Sequence, residues 1–167
     1  MNPAKMEIAK FSNKEMIKGS LTDAVREADV SIGLSIRGVL TQDIVKSVAT
    51  DSIVVRMANP IPEITPDDTK VAWARVVATG RLDFSNQINN YLGFTVIFKG
   101  ALKVRARDIN EEMKLAATYA IVSIIQDDEL NEENITSNVF HPEVMKIESE
   151  ALAQVAIKSG VARIQVS

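Results

Sequence analysis

Ser52-Ile53-Val54-Val55-Arg56-Met57-Ala58-Asn59-Pro60-Ile61-Pro62-Glu63-Ile64 is the stretch on which the fold turns. A short apolar run bounded by a turn signal reads as a buried strand. Prolines fix the chain on both sides of Ile61, so the strand over Ser52–Ala58 runs straight into a rigid turn at Asn59. The same grammar recurs on either side. Upstream, Val30-Ser31-Ile32-Gly33-Leu34-Ser35 follows a helix opened by Thr22 and Asp23, with Ala24, Val25 and Ala28 on one face. Downstream, Arg75-Val76-Val77-Ala78-Thr79 ends in Gly80. Apolar runs that alternate with helix-like segments from Met1 to about Val104 predict β-α units carrying a parallel sheet, an α/β fold. Ligands of such open sheets bind where the strands end, and each of these strands ends in Gly, Pro, Asn or Ser.

After Asp108 the pattern turns helical. One helix is predicted over Asn110–Ile125 and another over Pro142–Ser159, closed by Gly160, with the acidic stretch Asp127–Asn138 between them as a solvated connection. The chain thus divides into residues 1–107, which carry the sheet, and a helical segment over 108–167 that packs on it. With 167 residues, 46% of them hydrophobic, there is material for one ordinary core. Basic and acidic residues stand at 19 against 22 with no long block of one sign, which leaves no electrostatic footprint for nucleic acid. The absence of cysteine excludes disulfides, thiol catalysis and cysteine-ligated metal centres. The amino-terminal residues lack an apolar signal core, and the most apolar later stretch, Ala116–Ile125, is too short to span a bilayer, so a cytoplasmic address is expected.

Two segments hold candidate chemistry. Asn59 offers two donors and an acceptor to a ligand carbonyl, hydroxyl or carboxylate; its alternative role is to cap the turn. In Ala78–Asn90, a strand end and a glycine turn lead to Asn86, Gln87, Asn89 and Asn90, four amides within five residues. That density suits an anionic substrate or a nicotinamide amide, while the alternative is helix capping by Asp83, Ser85 or Asn86. Gly33-Leu34-Ser35-Ile36-Arg37-Gly38 allows close backbone approach but is not a GxGxxG fingerprint. His141 has no histidine partner and reads as a turn or helix-start residue. Glu111 and Glu112 read as first-turn acids, and Asp127, Asp128, Glu129, Glu132 and Glu133 match no EF-hand spacing.

Taken in order, NPAKMEIAK, GSLTDAVREADVSIGLSIRGVLT, MANPIPEI, ARVVATGRLDFSNQINN, KGALKVRARDINEEMKLAA and GVAR resemble the bacterial type of malic enzyme, from about Asn2 to Arg163. The resemblance implies the C-terminal part of a Rossmann-type NAD(P)-binding domain, a doubly wound parallel sheet lacking its first two strands, followed by helices. It implies the oxidation and decarboxylation of malate to pyruvate with NAD or NADP and a divalent Mg or Mn ion. Asn59, Asn89 and Asn90 would be substrate-side amides, while Ser35, Gly38 and Asn59 would lie near the coenzyme. The family's catalytic tyrosine and lysine, its metal ligands and its glycine-rich phosphate loop would all fall upstream of this chain. A fragment inactive alone, needing a complementing N-terminal chain or self-association, is the expectation. The alternative is a non-catalytic remnant or assembly module. The chain departs from the family pattern at Ser31 and Arg56, where apolar strand residues are usual, and at Arg37, Trp73, Leu82, Ser85, Thr95 and Val96. A charge in a central strand costs several kcal/mol unless paired. The implied strand order also places the two missing strands between the strand at Val30 and the one at Ser52, leaving the former without a ladder.

Overall fold

The computed structural model describes residues 2–88, 90–136 and 142–165. Three short strands, β1 (Val30–Gly33), β2 (Ile53–Arg56) and β3 (Val76–Thr79), form one parallel sheet in the order β1-β2-β3. The register pairs Val30 with Ile53 and Ile53 with Val76. The three strands are therefore where the sequence placed them, but each is trimmed. β1 stops at Gly33 because the next turn is held elsewhere: the Ser35 amide donates to the Glu63 carboxylate at 2.7 Å instead of continuing the ladder.

The expected gap between β1 and β2 is not there. Each strand steps to the next position in one direction, so the three make up one wing of a doubly wound sheet, with β1 and β3 as its outer strands. Val30 and Ile32 are 51% and 62% exposed, while Ser31 between them is buried, so β1 covers one face only.

Short capped helices make the crossovers. α1 (Pro3–Ala9) begins after Asn2, whose side chain accepts from the Lys5 amide, and buries no residue. α2 (Leu21–Val25) starts one residue earlier than read, because Ser20 and Asp23 form a reciprocal capping box. α3 (Gln42–Val45) and α4 (Pro66–Val71) are capped by Thr41 and Thr65. Together they close a core of Leu40, Val45, Val54, Ile64, Ala72, Ala74 and Val77 on one face of the sheet. Just past α4, Trp73 takes a φ of +72° and stays 79% exposed, a left-handed position that favours glycine.

A second core belongs to α5 (Asn90–Lys103), α6 (Glu111–Val122) and α7 (Pro142–Lys158), built on Val96, Val104, Met113, Ala117, Leu152 and Ala156. Gly100 lets α5 and α7 meet: a Cβ there would stand 2.5 Å from Leu152 Cβ. α6 is capped by Asn110, whose Oδ1 accepts from the Met113 amide at 3.0 Å.

The stretch after α6 is exposed from Asp127 to Glu133, as its charge suggested, and it is also tied to the sheet. Glu133 pairs with Lys70 at 2.6 Å and Glu132 with Arg75 at 2.9 Å. These exposed pairs are worth little singly. The anchor is Asn86, only 1% exposed, which donates to Val77 O at 3.0 Å and Glu132 O at 2.7 Å and accepts from the Ile135 amide at 3.1 Å. One buried amide thus ties β3 to the segment that follows α6. Among the described residues no helix is long and apolar enough to cross a membrane. His141 lies outside the described residues.

Candidate functional site

The carboxyl ends of the three strands converge on a small polar cleft of about 110 Å³, lined by Leu34 after β1, Met57 and Asn59 after β2, Gly80 after β3, and Ile88 and Asn90 at the start of α5. Parallel strands deliver their ends to one rim, which is why residues 59, 80 and 90 meet despite their separation in sequence. The Asn59-Pro60 peptide is cis. Gly80 keeps the cleft open: a Cβ there would reach 3.7 Å from Ile88 O and 3.8 Å from both Asn59 Nδ2 and Met57 O.

The loop after Gly80 is folded back on β3. Thr79 N donates to Asn86 O at 3.0 Å and Ile88 N to Thr79 O at 2.8 Å. Arg81 grips Asp83 with two bonds of 2.7 and 2.8 Å and reaches Pro60 O at 3.4 Å. Those bonds from Arg81 hold the Asp83 carboxyl below its ordinary range.

Of the four amides in this segment, two are turned inward. Asn86 is the buried clamp already described, and Gln87 donates to Leu82 O at 2.9 Å and Phe84 O at 3.2 Å. Asn90 lines the cleft with Asn59, and Asn89 lies outside the described residues. Ser35 and Gly38 belong to a neighbouring arrangement centred on Glu63. The Ser35 amide and hydroxyl both donate to Glu63 Oε1, at 2.7 and 3.3 Å, and the Gly38 amide donates to the Glu63 backbone carbonyl at 2.9 Å. Gly38 adopts a φ of +78° with open space where a Cβ would stand. Arg37 is exposed and does not line the cleft. Leu34, Met57, Gly80 and Ile88 were not singled out as site residues from sequence; only Gly80, at a strand end, carried a signal that could have found it.

Glu63 and Arg56 are buried side by side, at 2% and 4% exposure. Burial pushes the Glu63 carboxyl up, but donation from the Ser35 and Ala58 amides outweighs it, so the carboxyl lies below its ordinary range. Burial lowers the Arg56 guanidinium, and the charge of Glu63 offsets part of that. Arg56 Nη2 donates to Ser31 Oγ at 2.7 Å and Nη1 to Val55 O at 3.2 Å. The two departures from apolar strand residues are thus a matched pair: the hydroxyl at 31 receives the guanidinium at 56. Gly33, opposite Arg56 in the register, makes room for them, since a Cβ would stand 2.7 Å from Glu63 Oε1 and 2.9 Å from Arg56 Nη1. Among the described residues no three of His, Asp and Glu converge as a metal site.

No family model matches the chain. Individual proteins do. It is 50% identical over 166 residues to the bifunctional malic/malolactic enzyme of Bacillus subtilis, covering 99% of this chain and 40% of the relative. It is 51% identical over 162 residues to the NAD-dependent malic enzyme of Geobacillus stearothermophilus, covering 97% of this chain and 34% of the relative. The crystal structure of Entamoeba histolytica malic enzyme superposes with a TM-score of 0.91 at 42% identity, covering 98% of this chain and 34% of that one. Sequence and fold together make the chain a malic-enzyme relative, with the Rossmann-like sheet of the nucleotide-binding domain, that spans 40% or less of the length of these three proteins.

Proposed function

We propose that this chain, a relative of malic enzymes, forms the nicotinamide and substrate wall of a site that oxidises and decarboxylates malate to pyruvate with NAD or NADP. The observation that carries the reading is the cleft where Asn59 and Asn90 flank Gly80 at the carboxyl rim of a parallel sheet. Its volume of about 110 Å³ suits a carboxamide or carboxylate and is far too small for a dinucleotide. The chain therefore grips one end of a ligand. Asn59 and Asn90 orient it with amide donors, Gly80 leaves its approach clear, and Ser35 and Gly38, held in place by Glu63, form the coenzyme-facing loop. Among the described residues no three acids converge to hold a Mg or Mn ion. Of the described residues that line the cleft none is a general base, and proton transfer requires one within hydrogen-bond reach.

In this reading residues 1–107 are the coenzyme side, 108–167 the helical support, and the acid, base and metal ligands come from a complementing chain in the cytoplasm. The exposed apolar edge of β1 favours such a partner over a free-standing module. The test is co-expression with the part of the Geobacillus stearothermophilus relative that lies outside the match, followed by malate-dependent coenzyme reduction with Mn²⁺. The complex turns over, the separate chains do not, and Asn59→Ala lowers kcat/KM by about 100-fold, as expected for one lost oriented donor. A co-purifying complex without turnover, or one indifferent to Asn59→Ala, overturns the proposal.

A further inference from the structure

Two of the strand ends that make the rim are joined by a side chain. The ladder between β1 and β2 makes its rung before the rim where the Met57 amide donates to Gly33 O at 3.0 Å. Past that rung the two chains carry opposite walls of the cleft, Leu34 after β1 and Asn59 after β2. Glu63 supplies the next connection. Its Oε1 accepts from the Ser35 amide at 2.7 Å, one residue beyond Leu34, and its Oε2 accepts from the Ala58 amide at 3.3 Å, one residue before Asn59. Each oxygen of one carboxylate thus takes a donor from a different strand end. An ionised carboxyl has acceptors on both sides, whereas a glutamine amide has a single oxygen and turns N–H groups towards the other donor.

The carboxylate is itself held in place. Arg56 stands beside it, and a Cβ at Gly33 would lie 2.7 Å from Glu63 Oε1 and 2.9 Å from Arg56 Nη1. The guanidinium is anchored in turn on Ser31 Oγ at 2.7 Å and Val55 O at 3.2 Å. Burying two charges costs several kcal/mol per ion, and well-packed apolar residues often stabilise a fold as well or better, so stability alone does not account for this arrangement. We infer that Glu63 is a positioning residue of the cleft: through the Ser35 and Ala58 amides it sets the spacing of Leu34 and Asn59, and with it the direction in which the Asn59 amide meets a ligand, with Arg56 as its counter-ion. The inference rests on the reading of the cleft given above and extends it to a side chain that does not line the cleft. Misplacement of an orienting group by about 1 Å costs on the order of 100-fold in rate.

The experiment uses the full chain, alone and in complex with the complementing part of the relative. Glu63→Gln keeps the size of the side chain and removes one acceptor. In the chain alone, hydrogen exchange at the Ser35 or the Ala58 amide rises roughly tenfold, as expected for one buried hydrogen bond, and the Asn59 side-chain amide resonances in ¹H–¹⁵N spectra move. In the complex, kcat per folded molecule falls about 10- to 100-fold, while in an Asn59→Ala background the same substitution lowers it by less than about twofold, because the group it positions is gone. A loss of stability alone acts equally in both backgrounds. Unmoved Asn59 resonances, unchanged turnover, or an equal loss in the two backgrounds overturns the inference. Should Glu63→Gln fail to fold, the wild-type chain decides: both amides exchange slowly if Glu63 holds them, and rapid exchange at either one overturns it. A wild-type complex without turnover refutes the malate reading instead, and the resonances of the chain alone then decide the role of Glu63.

Discussion

Replacing Asn86 by alanine removes three hydrogen bonds from a side chain that is 1% exposed. The bond to Val77 O, at 3.0 Å, lies inside the sheet, where an acceptor left bare costs about 1–2 kcal/mol. The bonds to Glu132 O and from Ile135 N join a more open segment whose groups recover some water, so they contribute about 0.5–1 kcal/mol each. Asn86→Ala should therefore cost about 3 kcal/mol, or roughly 6–10 °C in Tm for a chain of this size. Urea unfolding followed by circular dichroism measures the loss, and amide exchange at Ile135 localises it, since that proton loses its acceptor. Asn86→Asp sharpens the test. It keeps an acceptor for Ile135 but sets a carboxylate against two carbonyls, so the new carboxyl has a raised pKa and the variant weakens further as pH rises through it. A loss below about 0.5 kcal/mol, with unchanged exchange at Ile135, would show that Asn86 is not the clamp.

Gly33→Ala should destabilise by about 2 kcal/mol in the same assay, because the new methyl meets two buried charged groups at 2.7 and 2.9 Å; a neutral result would mean that Glu63 or Arg56 moves freely. Glu63→Gln tests the depressed carboxyl. A folded-state pKa below the unfolded value makes a contribution that is present above about 4.5 and lost as pH falls through the lowered value, so the wild-type advantage should shrink on acidification through that range, and a gap that widens there refutes it. Gly80→Ala should leave the unfolding midpoint nearly unchanged, since its nearest neighbour is 3.7 Å away, while weakening substrate use by the complemented enzyme through filling of the cleft; an unfolded variant would show the turn to be tighter than it is.

Much of the sheet was legible because its signals are local. The runs at Val30, Ile53 and Val76 are apolar and bounded, and each leads into a turn marked by Gly, Pro, Asn or Ser. Strand order is not a local property, and there a borrowed topology misled: the gap expected between β1 and β2 is closed by direct pairing. The charge at Arg56 looked like a penalty in isolation, since no reading along the chain puts Ser31 within its reach; β1 and β2 pair with Gly33 opposite Arg56, and the guanidinium reaches back across the sheet to Ser31. The ties of the acidic stretch were hidden in the same way, because its basic partners Lys70 and Arg75 lie about sixty positions upstream. In the amide-rich segment the composition announced recognition. Burial assigned Asn86 to structure and left Asn90 at the cleft, a distinction that composition does not contain.

The unpaired side of β1 has a direction as well as an edge. Its four residues run towards Leu34 and the rim, so a strand added in the same sense would finish where β1 finishes, roughly 13 Å from where it entered. The loop that followed it would be laid down against Leu34, beside Asn59 and Gly80. A strand added in the opposite sense would bring its opening residues there instead. The polarity of three short strands thus works as an address: it fixes which terminus of an incoming segment is delivered to the cleft before any side chain of that segment has been read.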